Sequence, residues 1–168
     1  MDEHRSTPPP RYAAWPRRAA ALVLDAVPVL LFAAAAIGLM WLTRIRACDG
    51  DPSVTDFGPQ CGTGVSTVGR ASFIAMWLAA VGYVVWNFGH RQGRTGSSLG
   101  KSYLDVKVVD AATGTPIGFS RSVIRQLAHV LELLTLGLGY LWPLWDAKHQ
   151  TFADKLLHTV CVPVSETR

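Results

Sequence analysis

Arg17-Arg18-Ala19-Ala20-Ala21-Leu22-Val23-Leu24-Asp25-Ala26-Val27-Pro28 decides how the chain is read, because it sets ionisable groups at the head of a long apolar run. Arg18 and Asp25 stand seven residues apart, close to two helical turns, so both fall on one helix face about 10 Å apart along the axis. Inside a membrane span such a residue costs roughly 2.5 to 3.5 kcal/mol on insertion scales, which makes it a functional candidate by default. A plainer role is open to each: Arg18 marks the cytoplasmic end of the helix, and Asp25 pairs with a neighbouring helix for assembly.

Outward from this stretch, Ala19 to Thr43 carries no charge except Asp25, and Ala71 to Gly89 carries none. Each reaches the ~20 residues needed to cross a ~30 Å hydrocarbon core. Trp15, Trp41 and Trp86 are placed near segment ends as interfacial anchors. With 168 residues, 49% of them hydrophobic and 17% charged, the chain fits one small membrane domain. A cleaved leader is the rival for the first run, but a run this long that contains Asp25 does not suit a signal-peptide core.

The net charge of +4 is concentrated beside the spans. Nine basic residues fall in the N-terminal segment and second loop, against three (Arg44, Arg46, Arg70) in the first loop. That bias predicts a cytoplasmic N-terminus in a plasma membrane, and it needs no nucleic-acid partner. Cys48 and Cys61 then lie on the outer side, where a disulfide is permitted and contributes ~3 kcal/mol in the loop-entropy model. No second thiol or His stands at ligand spacing beside them, so no metal is expected, and nothing else in the chain asks for a cofactor. Cys161 reads as a packed small residue.

The spans expected are about 19–43 and 71–89, between a disordered proline-rich tail over 1–12 and a short tail over 165–168, with the membrane domain over 13–164. Pro28 is placed to bend the first span. Tyr103-Leu-Asp-Val-Lys-Val-Val-Asp110 alternates, a turn follows at Gly114 to Pro116, and Thr159 to Val164 alternates again. A short cytoplasmic β-hairpin after the second span is expected from this, with the C-terminal strand able to complete it. Gly96-Ser-Ser-Leu-Gly100-Lys101-Ser102 has one residue too few between its glycines for a phosphate-binding loop, and reads better as a juxtamembrane basic segment facing anionic lipid heads.

The third apolar segment, 119–145, contains Gly137 and Gly139. As a single helix it would measure ~40 Å and could cross. If it turns back at the glycines, the charge bias becomes twelve against three, which favours a re-entrant or interfacial helical segment. The fold class expected is thus an all-α membrane protein with two transmembrane helices, that third segment, and the hairpin. Within the segment, Arg125-Gln-Leu-Ala-His-Val-Leu-Glu132 repeats the seven-residue spacing of Arg18 and Asp25, and Arg121, Arg125, His129 and Glu132 form one polar stripe on a helix.

Trp15-Pro-Arg17-Arg18 with Asp25, Ser98-Leu-Gly100-Lys101 before Val-Lys-Val-Val-Asp110, and Gly137-Leu-Gly139-Tyr-Leu-Trp142 leading to Trp145-Asp146-Ala-Lys-His-Gln150-Thr151-Phe-Ala-Asp154-Lys155 resemble the RDD family of membrane proteins. The resemblance implies that Arg18, or else Arg17, is the family arginine and Asp25 the first aspartate. Asp154 is favoured over Asp146 as the second, with Lys155 beside it. It further implies transport of an unidentified ligand, with sodium/proton exchange attributed to some members. Thr151-x-x-Asp154 also resembles a capping box at the start of a short helix, so a structural role stands beside the functional one.

The function expected is carboxylate-centred exchange of a small ion or solute, of cation/proton type. Asp25, His129 and Glu132 would supply the titratable groups, and Arg18 or Arg125 the neighbouring positive charge. So few helices can hardly enclose a path, so a homo-oligomer or larger membrane complex is expected. The alternative is a non-catalytic accessory or assembly subunit of such a complex. No nucleophile and base arrangement marks an enzyme.

Overall fold

The structure is a computed structural model that describes residues 12–48, 61–134 and 136–167. Apart from Tyr12, the expected tail over 1–12 lies outside the described residues. In chain order the elements are α1 (Trp15–Leu42), β1 (Ile45–Cys48), β2 (Cys61–Gly64), α2 (Thr67–Val84), a π-helical turn (Val85–Arg91), α3 (Gln92–Thr95), α4 (Leu99–Tyr103), β3 (Val106–Asp110), α5 (Gly118–Leu134), α6 (Leu138–Leu141), a 3-10 turn (Trp142–Leu144), α7 (Phe152–Leu156), β4 (Thr159–Pro163) and a last 3-10 turn (Val164–Thr167).

Both expected spans are present and longer at their starts than their apolar runs. α1 has 28 residues, and the helical stretch Thr67–Thr95 has 29. At 1.5 Å per residue each measures about 42 Å, beyond the ~30 Å of a hydrocarbon core. α1 continues through Pro28, whose missing N–H leaves the Leu24 carbonyl without its helical donor, a loss that membrane helices tolerate.

The chain falls into two compact units, Val27–Tyr83 and the remainder. In the first, the distal part of α1 and α2 flank an antiparallel ribbon in which Ile45 faces Gly64 and Cys48 faces Cys61. The first loop therefore carries two short strands. The side chains of Cys48 and Cys61, and residues 49–60 between them, lie outside the described residues.

In the second unit β3 pairs antiparallel with β4, Val106 opposite Pro163 and Asp110 opposite Thr159. This corrects the local hairpin. The turn after Asp110 does not return as a strand but leads through buried Ile117 into α5, and the C-terminal strand supplies the pairing. Val106, Val108, Ile117, Cys161 and Ala13 pack on one side of this ribbon, and Val109, Val160 and Val162 on the other. Cys161 is thus a core residue, as expected.

The third apolar segment is broken. α5 ends at Leu134, and Gly137 takes a left-handed conformation with φ 78° before α6 begins, a geometry that favours glycine. α5 is inside-out by the standard of a water-soluble helix: Ser122, Arg125 and Glu132 are buried, while Phe119, Ile124, Leu127 and Val130 are exposed. Exposed apolar residues also run along α1 (Leu30, Leu31) and α2 (Val68, Leu78). A polar interior under an apolar exterior is stable where the surrounding medium is hydrocarbon.

Candidate functional site

The second unit buries three carboxylates, Asp25, Glu132 and Asp154. Asp25 accepts from Asn87 Nδ2 at 2.9 Å, Ser98 Oγ at 2.5 Å and the Gly100 amide at 2.7 Å. Local structure sets each donor. The π-helical turn places Asn87 inward, where its own carbonyl oxygen accepts the Leu99 amide at 2.8 Å. Ser98 is the N-cap of α4, which also presents the Gly100 amide. Gly100 is required by close approach, since a Cβ there would overlap the Ala21 carbonyl and the Asp25 carboxyl.

Asp154 is the second hub. Arg125 donates Nε and Nη2 to its Oδ1 at 2.8 and 2.7 Å, and Arg18 donates to its Oδ2. Thr159 Oγ1 donates to Oδ1 at 3.0 Å, and the Thr151 amide to Oδ2 at 3.2 Å. The capping box read from Thr151-x-x-Asp154 is formed, so one carboxylate caps α7 and clamps two guanidiniums from α1 and α5. Burial alone would raise the Asp154 pKa, but Arg125 and Arg18 outweigh it and hold the carboxyl well below the usual range. Arg18 also donates to the His149 carbonyl.

Glu132 faces His129, with Oε2 2.9 Å from Nδ1, and its Oε1 accepts the Ala153 amide at 2.5 Å. The His129 ring stacks on Tyr140 at 5.1 Å between centroids. Gln92 links the elements further, accepting from Lys101 Nζ at 2.6 Å and donating to Ser122 Oγ at 3.1 Å. Lys101 is 9% exposed, which corrects its reading as a basic surface facing lipid heads. Burial first, and then the positive charge of Arg125, push its ammonium down to about 8.

These groups border a cavity of about 270 Å³ whose wall includes Arg18, Lys101, Arg125, His129, Trp15 and Tyr140. Of the residues expected from sequence, Arg18, Arg125, Asp154, His129 and Glu132 therefore meet in one place. The seven-residue spacing does not make Arg18 and Asp25 a pair: Arg18 turns to Asp154, whereas Asp25 turns to Asn87 and α4. Asp146 pairs with Lys155 at 2.7 Å, where Lys155 is 42% exposed, and accepts the Lys148 and Gln150 amides in its own loop. Asp154, not Asp146, shares the arginine network. Asn87, Gln92, Ser98 and Ser122 were given no site role from sequence and Lys101 a different one, although Asn87 stood in an otherwise apolar span and Ser98-Leu-Gly100-Lys101 recurred in the family resemblance.

Long apolar helices with a buried ionic network define a membrane protein. The chain belongs to the RDD family, whose pattern matches residues 12–158. It is 42% identical over 95% of its length to the proline-rich antigen of Mycobacterium leprae, of which it covers 64%. It is 43% identical, again over 95% of its length, to a proline-rich antigen homolog of Mycobacterium tuberculosis, of which it covers 67%. The chain thus spans about two thirds of these relatives. No solved structure matches it.

Proposed function

We propose that this protein moves a small ion or solute across a bacterial plasma membrane by carboxylate-centred exchange of cation/proton type, as part of a homo-oligomer, and that it is not an enzyme. The observation that carries this reading is the burial of Glu132, paired with His129, in a helix whose exposed face is apolar. Asp154 is held too far below the usual carboxylate range to take up a proton near neutrality, so it anchors the two arginines. The exchanging groups of this reading are the other two buried carboxylates, Glu132 and Asp25. The N-terminus is cytoplasmic by the charge bias. The third segment stays on that side, since the 17 residues of α5 extend about 25 Å and stop short of a ~30 Å core.

Purified protein in vesicles tests the exchange. Proton movement driven by a sodium or potassium gradient is expected, and is lost in Glu132→Gln and Asp25→Asn proteins that still fold. No carboxylate-dependent proton movement in either gradient would overturn it. Labelling of Glu166→Cys from outside intact cells would overturn the topology. One observation favours a second reading, a non-catalytic accessory subunit: the saturated Asp154 cluster makes this unit a rigid body suited to docking. Cross-linking that recovers only self-contacts argues against that.

A further inference from the structure

Every charged residue on the cavity wall is a cation. Arg18, Lys101 and Arg125 line it together with His129, whereas Asp25, Glu132 and Asp154 stand behind, each bonded to another side chain. None of the three carboxylates lines the cavity. The cations keep donor capacity toward the cavity: Lys101 gives one of three ammonium hydrogens to Gln92, and Arg125 gives Nε and one Nη to Asp154.

Much of the remaining lining is apolar. Leu22 and Val23 line it while remaining 48% and 65% exposed on α1, the surface that a membrane helix turns to lipid. At about 270 Å³ the space lies just below the ~300 to 1,000 Å³ of pockets that engulf drug-sized ligands. It has room for a head group and the first carbons of a chain, with the remainder lying along α1 outside.

We propose that this cavity binds the phosphate head of an anionic amphiphile, with Arg18, Lys101 and Arg125 on the phosphate and the acyl chain leaving past Leu22 and Val23. Guanidinium and ammonium donors suit phosphate oxygens, and their attraction is strongest where water is excluded. The site goes beyond the exchange reading: its occupant is an anion and is detected by binding without any flux.

The test uses the full-length protein, delipidated in nonionic detergent, with binding followed by native mass spectrometry. Short-chain phosphatidic acid is expected to bind one per chain and saturably, with phosphatidylcholine of the same chain length at least tenfold weaker. Lys101→Met and, at the mouth, Leu22→Trp are each expected to weaken phosphatidic acid at least tenfold. Melting temperatures report whether each variant is folded. Inorganic phosphate or glycerol phosphate binding as tightly as the lipid would overturn the amphiphile in favour of a soluble anion. Absence of saturable binding, or wild-type affinity in both folded variants, would overturn the site.

Discussion

Replacing Asp154 by Asn keeps the size of the side chain and one acceptor oxygen, but removes the carboxylate charge to which Arg18 and Arg125 both bond. Their side chains are 9% and 2% exposed, so neither can turn to water. Breaking a buried pair by neutralising one partner costs about 3 to 5 kcal/mol, because the remaining charge stays buried. At roughly 2 to 4 °C per kcal/mol for a chain of this size, Asp154→Asn should melt about 6 to 20 °C below the parent. The control is Asp146→Asn. Its pair with Lys155 is equally short, 2.7 Å, but Lys155 is 42% exposed, and pairs of that kind contribute about 0 to 1 kcal/mol. Both variants would be followed in one detergent at one heating rate by intrinsic tryptophan fluorescence. A drop for Asp154→Asn no larger than that for Asp146→Asn would refute the claim that Asp154 is the anchor of the unit.

Gly100→Ala should disrupt the Asp25 site without altering any charge, since the added methyl meets the Ala21 carbonyl and the Asp25 carboxyl; a melting temperature equal to the parent's would count against that packing. Asp110 is held at about 2 by its hydrogen bond from Arg121 and by the Ala112 and Thr113 amides. The stabilisation is thus complete above the ordinary value of 3.8 and is lost as pH falls through about 2. An Asp110→Asn protein should show a flatter acid limb in pH-dependent melting, and an unchanged limb would exclude the pair as its source. Cys48 and Cys61 are direct cross-strand partners, and both spacings of antiparallel partners lie within disulfide range. Denatured protein should therefore titrate one thiol per chain without reductant and three with it; three without reductant would rule out the bond.

The parts legible in the sequence were those fixed by length and apolarity along the chain. The two spans follow from long apolar runs, and the break in the third segment from Gly137, whose left-handed turn favours glycine, although Leu136 before it is left-handed as well. The Thr151 cap was legible because a capping box is a local pattern. The partners of Asp25 were not, because Asn87, Ser98 and Gly100 lie 62, 73 and 75 residues from it. A helical wheel shows which face a group occupies but not what stands opposite. The same limit gave β3 a local hairpin partner that does not form, although the C-terminal strand that was allowed to complete the hairpin does pair with it.

That limit also bears on the Arg18 and Asp25 spacing. Two helical turns between them let α1 hold two different parts of the unit at once. At one level Arg18 joins α1 to α7 and α5 through Asp154, and at the other Asp25 joins it to the π-helical turn and α4. Shortening the spacing by one residue would rotate one group about 100° off the shared face and leave it buried without its acceptor or donors. The spacing is therefore explained by assembly. Assembly accounts for two of the cations on the cavity wall, Arg18 and Arg125, which share Asp154; the third, Lys101, is bonded to the neutral Gln92 and is the charge that a bound phosphate would meet.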